Sequence, residues 1–138
     1  MDGRLTLTVV TPERAVLQAV PCDEVTLPAQ KGEIGILPGH TPLIALLGIG
    51  VVGYRDGARR ATVAVRGGFV EIAGDAVRVL ADDATAPDAV DVAAAAIEKK
   101  AAEGRRDQAA GDEELDAADA DARFAEARLA TAAMARPV

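Results

Sequence analysis

The sequence predicts an α+β chain: short antiparallel strands folded into a sandwich or flattened barrel, followed by a C-terminal antiparallel hairpin of two helices. Hydrophobic residues alternate with period two in several short runs of residues 1–86, the pattern of half-buried strands. Glycine falls away after Pro87: eleven of the thirteen glycines precede it, and only Gly104 and Gly111 follow. Residues 87–138 are dominated instead by Ala, Asp, Glu, Lys and Arg, the usual material of helices. A boundary is therefore expected between residues 1–86 and residues 87–138.

The strand half reads in order. Leu5, Leu7 and Val9 alternate with Thr6 and Thr8, and the alternation recurs at Val25/Leu27, Val63/Val65, Val70/Ile72 and Val77/Val79. Asp56-Gly57 and Gly74-Asp75 mark hairpin turns, since glycine reaches the positive φ such turns require. Pro12, Pro21, Pro28, Pro38 and Pro42 mark strand ends and loops. Many short strands at close spacing favour antiparallel pairing in two layers or a flattened barrel.

The helical half opens at Pro87, which suits a first turn. Asp88 is the expected cap, with Asp91 favouring the positive end of the helix dipole. The expected inward stripe of this helix is Val90, Ala94, Ile97 and Ala101, and Gly111 is the expected stop. Asp112 then caps a second helix with the stripe Leu115, Ala118, Ala122, Ala125 and Leu129, ending near Arg136 and Pro137. Alanine buries little area, at roughly 25 cal/mol per Å² of apolar surface, so this hairpin needs a surface to dock against.

Composition excludes several functions. Half of the 138 residues are hydrophobic, enough for a core, and the near absence of aromatics means Val, Leu, Ile and Ala must build it. The net charge of -7, without a basic patch, argues against nucleic acid and anionic membrane surfaces. Residues 1–86 carry -2 of it and residues 87–138 carry -5. Cys22 is alone, so no internal disulfide forms, and it reads as a small strand residue. No secretion signal is read at the amino terminus, and the longest apolar run, from Leu43 to Gly53, falls short of the roughly 18 residues of a membrane helix. A soluble chain is expected, reaching any membrane through a partner.

Catalytic chemistry is scarce. There is no serine and no asparagine, one histidine and one cysteine, so no serine nucleophile or zinc cluster can be assembled. The segment Gly32 to Gly39 lacks the Lys-Ser/Thr ending of a phosphate-binding loop. Asp82-Asp83 reads as a solvated pair at a strand end. No catalytic or metal site is expected, and an enzyme is the weakest reading.

The most informative stretch is Gly32-Glu33-Ile34-Gly35-Ile36-Leu37-Pro38-Gly39-His40-Thr41-Pro42-Leu43, where three glycines permit unusual φ and two prolines fix it. Such an ordered, irregular connection on a rigid sheet suits a partner surface. The run resembles the signature of the epsilon subunit of bacterial F-type ATP synthases. The likeness continues through Leu5-Thr6-Leu7-Thr8-Val9-Val10-Thr11-Pro12, Val65-Arg66-Gly67-Gly68-Phe69-Val70-Glu71-Ile72 and Val77-Arg78-Val79-Leu80-Ala81-Asp82. It spans essentially residues 4–100.

The resemblance implies a ten-stranded antiparallel β-sandwich before the two helices. It implies a non-catalytic central-stalk subunit that couples rotation of the c ring to gamma, peripheral to the cytoplasmic face of a bacterial membrane. The loop carrying Glu33 and His40 would then face the ring and gamma. The helices would restrain ATP hydrolysis through contacts with the alpha and beta subunits, with Arg123, Arg128 and Arg136 as the expected contact residues. The family's ATP-binding pattern is only partly kept: Asp91 is present, but Ala94 stands where an arginine belongs, and a charge-assisted donor to phosphate is lost with it. No cofactor is assigned on that ground, and ATP as a regulatory ligand is not committed to. The alternative reading is a free-standing ATP-sensing binding protein that uses the helical hairpin.

Overall fold

The computed structural model describes residues 3–135. Ten strands form two five-stranded sheets packed face to face. They are β1 (Leu5–Val10), β2 (Ala15–Cys22), β3 (Glu24–Ala29), β4 (Gly32–Ile36), β5 (Leu43–Leu46), β6 (Ile49–Asp56), β7 (Arg59–Arg66), β8 (Phe69–Ala73), β9 (Ala76–Leu80) and β10 (Asp83–Thr85). The first sheet has the order β2-β1-β9-β8-β5 and the second β10-β7-β6-β3-β4. Pairing is antiparallel except between β1 and β9, which run parallel with Leu7 opposite Val77. Sequence alternation leads one to expect neighbours joined by hairpins, and this pair is joined instead across most of the sandwich.

Between the sheets lies the core that the alternation anticipates. Leu5, Leu7, Val9, Val25, Leu27, Val63, Val65, Val70, Val77 and Val79 are fully buried, and Ile72 nearly so. Cys22 joins them at the end of β2, and its burial pushes the thiol pKa up. Asp56-Gly57 turns β6 into β7, and Gly74-Asp75 turns β8 into β9. Gly68, at φ +98°, is obligatory, because a Cβ there would come within 2.0 Å of the Leu80 carbonyl oxygen.

Beyond β10 a single 3₁₀ turn, Pro87–Ala89, leads to α1 (Val92–Asp107), and α2 follows (Asp112–Ala135). Four expectations are corrected here. Asp91, not Asp88, caps α1, accepting from the Ala94 amide at 3.0 Å, because Pro87 and Asp88 are spent on the 3₁₀ turn. Asp112 is the first residue inside α2 and does not cap it; the Gly111 carbonyl accepts from the Leu115 amide, and Glu114 reaches back to the Ala110 amide. The stripe expected on α1 faces outward: Ile97 is 72% exposed and Ala94 and Ala101 are exposed, while Ala95 and Ala102 are buried. On α2 the expected Ala118, Ala122 and Ala125 are buried, but Leu115 is exposed.

The second sheet explains why Ala64, flanked by the core residues Val63 and Val65, is buried too. α2 lies on the outer face of β6 and β7, and α1 packs on α2. Phe124 and Ala127 press onto Ala64, Ile49 and Val51, and the Thr131 hydroxyl donates to Thr62 Oγ1 at 2.6 Å. The layers therefore run first sheet, second sheet, α2, α1.

Candidate functional site

With α2 covering the second sheet, the outer face of the first sheet stays open, and its register concentrates apolar residues there. Leu46 lies opposite Phe69, Phe69 opposite Leu80, and Leu80 opposite Val10, one row across four strands. Leu46 is 60% exposed, Phe69 42% and Leu80 36%, and Ile44, in the adjacent row, 71%. These positions face out because Leu43, Ala45, Val70, Ile72 and Val79 face the core, and a strand alternates. A contiguous apolar patch of this kind is a protein-contact surface far more readily than a solvated face. Sequence reading passed over it. The signal was available: once Val70 and Val79 are set inward, Phe69 and Leu80 must point out.

The structure separates Glu33 from His40. Glu33 is not in the loop but on β4, the edge strand of the second sheet, opposite Pro28 and exposed. It borders an open cleft of about 370 Å³ with Glu24, Tyr54, Arg55, Arg60 and Met134, beside the end of α2. His40 lies past the far end of β4, in the connection that crosses from the second sheet to the first. That connection is tied down: the His40 amide donates to the Leu37 carbonyl at 3.2 Å, and the Gly39 amide to Asp75 Oδ1 at 2.9 Å. His40 Nδ1 is 2.6 Å from the Thr41 carbonyl. A carbonyl only accepts, so Nδ1 carries the hydrogen, and a neutral ring offers Nε2 as an acceptor.

The arginines of α2 have different surroundings. Arg128 Nη2 bonds Glu98 of α1 at 2.5 Å, and its guanidinium stacks 4.9 Å from the centre of Phe124. Arg123 is exposed, and its one hydrogen bond among the described residues is a 3.5 Å contact with the Ile49 carbonyl. Arg136 lies outside the described residues. Asp91 spends one carboxylate oxygen on the α1 cap, and Ala94 receives that bond through its backbone, offering no side-chain donor. Among the described residues no group of three or more His, Cys, Asp or Glu side chains is arranged to hold a metal. No described helix is long and apolar enough to cross a membrane.

Comparison with known proteins agrees with this architecture. The family described as ATP synthase, Delta/Epsilon chain, beta-sandwich domain matches residues 4–87. The ATP synthase epsilon chain of Solibacter usitatus is 45% identical over 101 residues, 72% of this chain and 75% of its own. That of Desulfitobacterium hafniense is 45% identical over 92 residues, 67% of this chain and 69% of its own. That of Symbiobacterium thermophilum is 44% identical over 88 residues, 64% of this chain and 63% of its own. Two solved structures share the fold. A chain of the Euglena gracilis mitochondrial ATP synthase (OSCP/F1/c-ring) superposes with a TM-score of 0.77 at 20% identity, over 95% of this chain and 81% of that one. A chain of the Tetrahymena thermophila mitochondrial ATP synthase central stalk/c-ring gives 0.56 at 16% identity, over 95% of both. With its sandwich matched throughout and its relatives epsilon chains of this identity, the chain belongs to the ATP synthase epsilon chain family.

Proposed function

We propose that the chain is a non-catalytic rotor subunit of a proton-translocating F-type ATP synthase. In this reading residues 1–86 join gamma to the c ring, and residues 87–138 restrain ATP hydrolysis against the alpha and beta subunits. The observation that carries it is the open row Leu46–Phe69–Leu80–Val10. A rotor subunit must transmit torque through a rigid surface, and the outer face of a sheet, backed by a close-packed core, deforms little. We assign this row, with Ile44, to gamma.

Glu33 is assigned to polar loops of the ring, which suits a carboxylate on an exposed edge strand. His40 is assigned to gamma: its ring is oriented by the Thr41 bond, leaving Nε2 to accept from a partner. Arg123 is available to an acidic partner with the hairpin docked. Arg128 becomes available only when Glu98 releases it, and Arg136 is carried as a third contact. An acidic helical half offers few cations, so the inhibition expected is weak.

No cofactor is assigned. With Asp91 engaged as a cap and Ala94 in the arginine position, ATP is expected to give no binding heat with the isolated chain. The subunit works at the cytoplasmic face of a bacterial membrane, held there by its partners. Adding the chain back to synthase depleted of this subunit tests the proposal. ATP-driven proton pumping should recover, and pumping that stays uncoupled despite stoichiometric rebinding would rule the coupling role out.

A further inference from the structure

A second open cleft, of about 350 Å³, lies at the seam between α2 and the second sheet, and its charge is one-sided. Gln30, Gly48, Ile49, Arg66, Gly67 and Arg123 contribute to its lining, and no carboxylate does. Arg66 closes β7 opposite Ile49, which opens β6. Arg123 comes from α2, and its Nη2 donates to the carbonyl of that same Ile49 at 3.5 Å. Two guanidinium groups from separate elements are thus brought to one residue. Gly48 and Gly67 keep the floor low. The Gly67 amide donates to the Gly48 carbonyl at 3.0 Å, and neither residue carries a side chain into the space.

Cations gathered in this way call for a counter-charge, even in a chain of net charge -7, and the neighbouring carboxylates supply only part of it. Asp121 spends Oδ1 on Arg66 at 2.8 Å and Oδ2 on Arg105 at 3.2 Å. Arg66, Arg105 and Arg123 against this one carboxylate leave two positive charges in excess. Asp82 stands beside Gly67 without lining the cleft, and counting it still leaves one. Arg123 is the less engaged of the two lining arginines. A guanidinium has five N–H donors, and one long bond to a carbonyl uses few of them.

We propose that this cleft binds a phosphate group, held between the Arg123 and Arg66 guanidinium groups with the Gln30 amide at the rim. Phosphate suits it better than a halide or a single carboxylate, because it brings up to two charges and enough oxygens for two planar donor forks. No aromatic ring lines the cleft, so a nucleobase gains no stacking there, and Asp91 and Ala94 at the start of α1 do not line it either. The ligand class is therefore inorganic phosphate or a phosphomonoester, free in solution or presented as a lipid headgroup. The site neither requires the rotor role nor follows from it.

NMR of the isolated, nitrogen-labelled full chain, titrated with inorganic phosphate near neutral pH, tests the site without any synthase. The Gly48 and Gly67 amides and the Arg66 and Arg123 Nε signals should shift and saturate, with a Kd on the order of 1 mM. Chloride at matched ionic strength should leave them in place. Arg123→Gln should weaken phosphate by roughly tenfold, the scale of one charge-assisted contact. Arg60→Gln, which removes an exposed arginine of β7 outside this cleft, should leave the affinity unchanged. Shifts that never saturate, equal shifts with chloride, or equal losses in the two variants would reduce the effect to diffuse charge and overturn the proposal. Co-sedimentation with phosphatidylcholine vesicles carrying phosphatidate separates the two sources. Pelleting that depends on Arg123 assigns the site to a lipid headgroup, and saturable shifts without pelleting assign it to a soluble phosphate.

Discussion

The Arg128 guanidinium lies 4.9 Å from the centroid of the Phe124 ring, one turn further along the same helix. The Arg66 guanidinium of β7 lies 6.0 Å from the same centroid. The one aromatic residue in the sequence of the helical half thus has two cations within reach of its ring where α2 meets the sheet. Phe124→Ala removes the ring and both cation–π contacts. The expected loss is about 3 kcal/mol, the scale for truncating a buried phenylalanine. It should appear in urea unfolding as a lower midpoint, with early proteolytic cutting in α2.

Asp121 ties three elements together through Arg66 and Arg105, but its side chain is 35% exposed. Solvent screens pairs of this kind, so Asp121→Asn should cost about 1 kcal/mol or less. A double-mutant cycle with Arg66→Met should return a coupling of about 0.5 kcal/mol at low salt, shrinking as salt is added.

At the end of the sandwich where β6 turns into β7, Asp23 accepts from the Gly57 amide at 2.7 Å, and Arg4 and Arg55 lie nearby. The amide bond first, then the two arginines, hold its carboxyl below the usual carboxylate range. A group whose folded pKa is depressed adds stability above its unfolded value and loses it as pH falls through the folded one. The window therefore runs downward from about pH 4. Asp23→Asn should flatten the acid limb of a Tm-against-pH curve below that point, and lower Tm relative to the parent above it.

Ala19 sits at φ +50° where β2 slips register against β1 between Val20 and Leu17, its amide donating to Thr8 Oγ1 at 3.1 Å. A left-handed residue bearing a Cβ at such a bulge is strained, whereas glycine is at ease there. Ala19→Gly should stabilise the chain by up to about 1 kcal/mol in thermal unfolding, one of few positions where glycine helps.

The core was legible because valine and leucine contrast with threonine and arginine on a strand: every run expected to face inward does so. The parallel β1–β9 pair was not, since local alternation says nothing about which distant strand lies alongside. The helices misled for a related reason. A stripe drawn through Val90, Ala94, Ile97 and Ala101 has almost no contrast with its alanine-rich surroundings, so the pattern could not single out Ala95 and Ala102, the two that α1 buries. Phe124 was the overlooked clue, a lone aromatic among alanines. The outward row of Leu46, Phe69 and Leu80 was written in the same alternation that located the core. It becomes legible only when the positions left over from the core are inspected for apolar residues.

Co-purification of a tagged copy of this chain from detergent-solubilised native membranes is the most direct measurement, run beside Phe69→Asp with folding verified by Tm. Gamma, the c ring and the catalytic subunits should come with the parent chain, and Phe69→Asp should lower their recovery by at least tenfold. If the parent chain returned alone from membranes holding intact synthase, or if Phe69→Asp recovered the same partners in full, the first sheet would not be the surface through which this subunit joins the rotor.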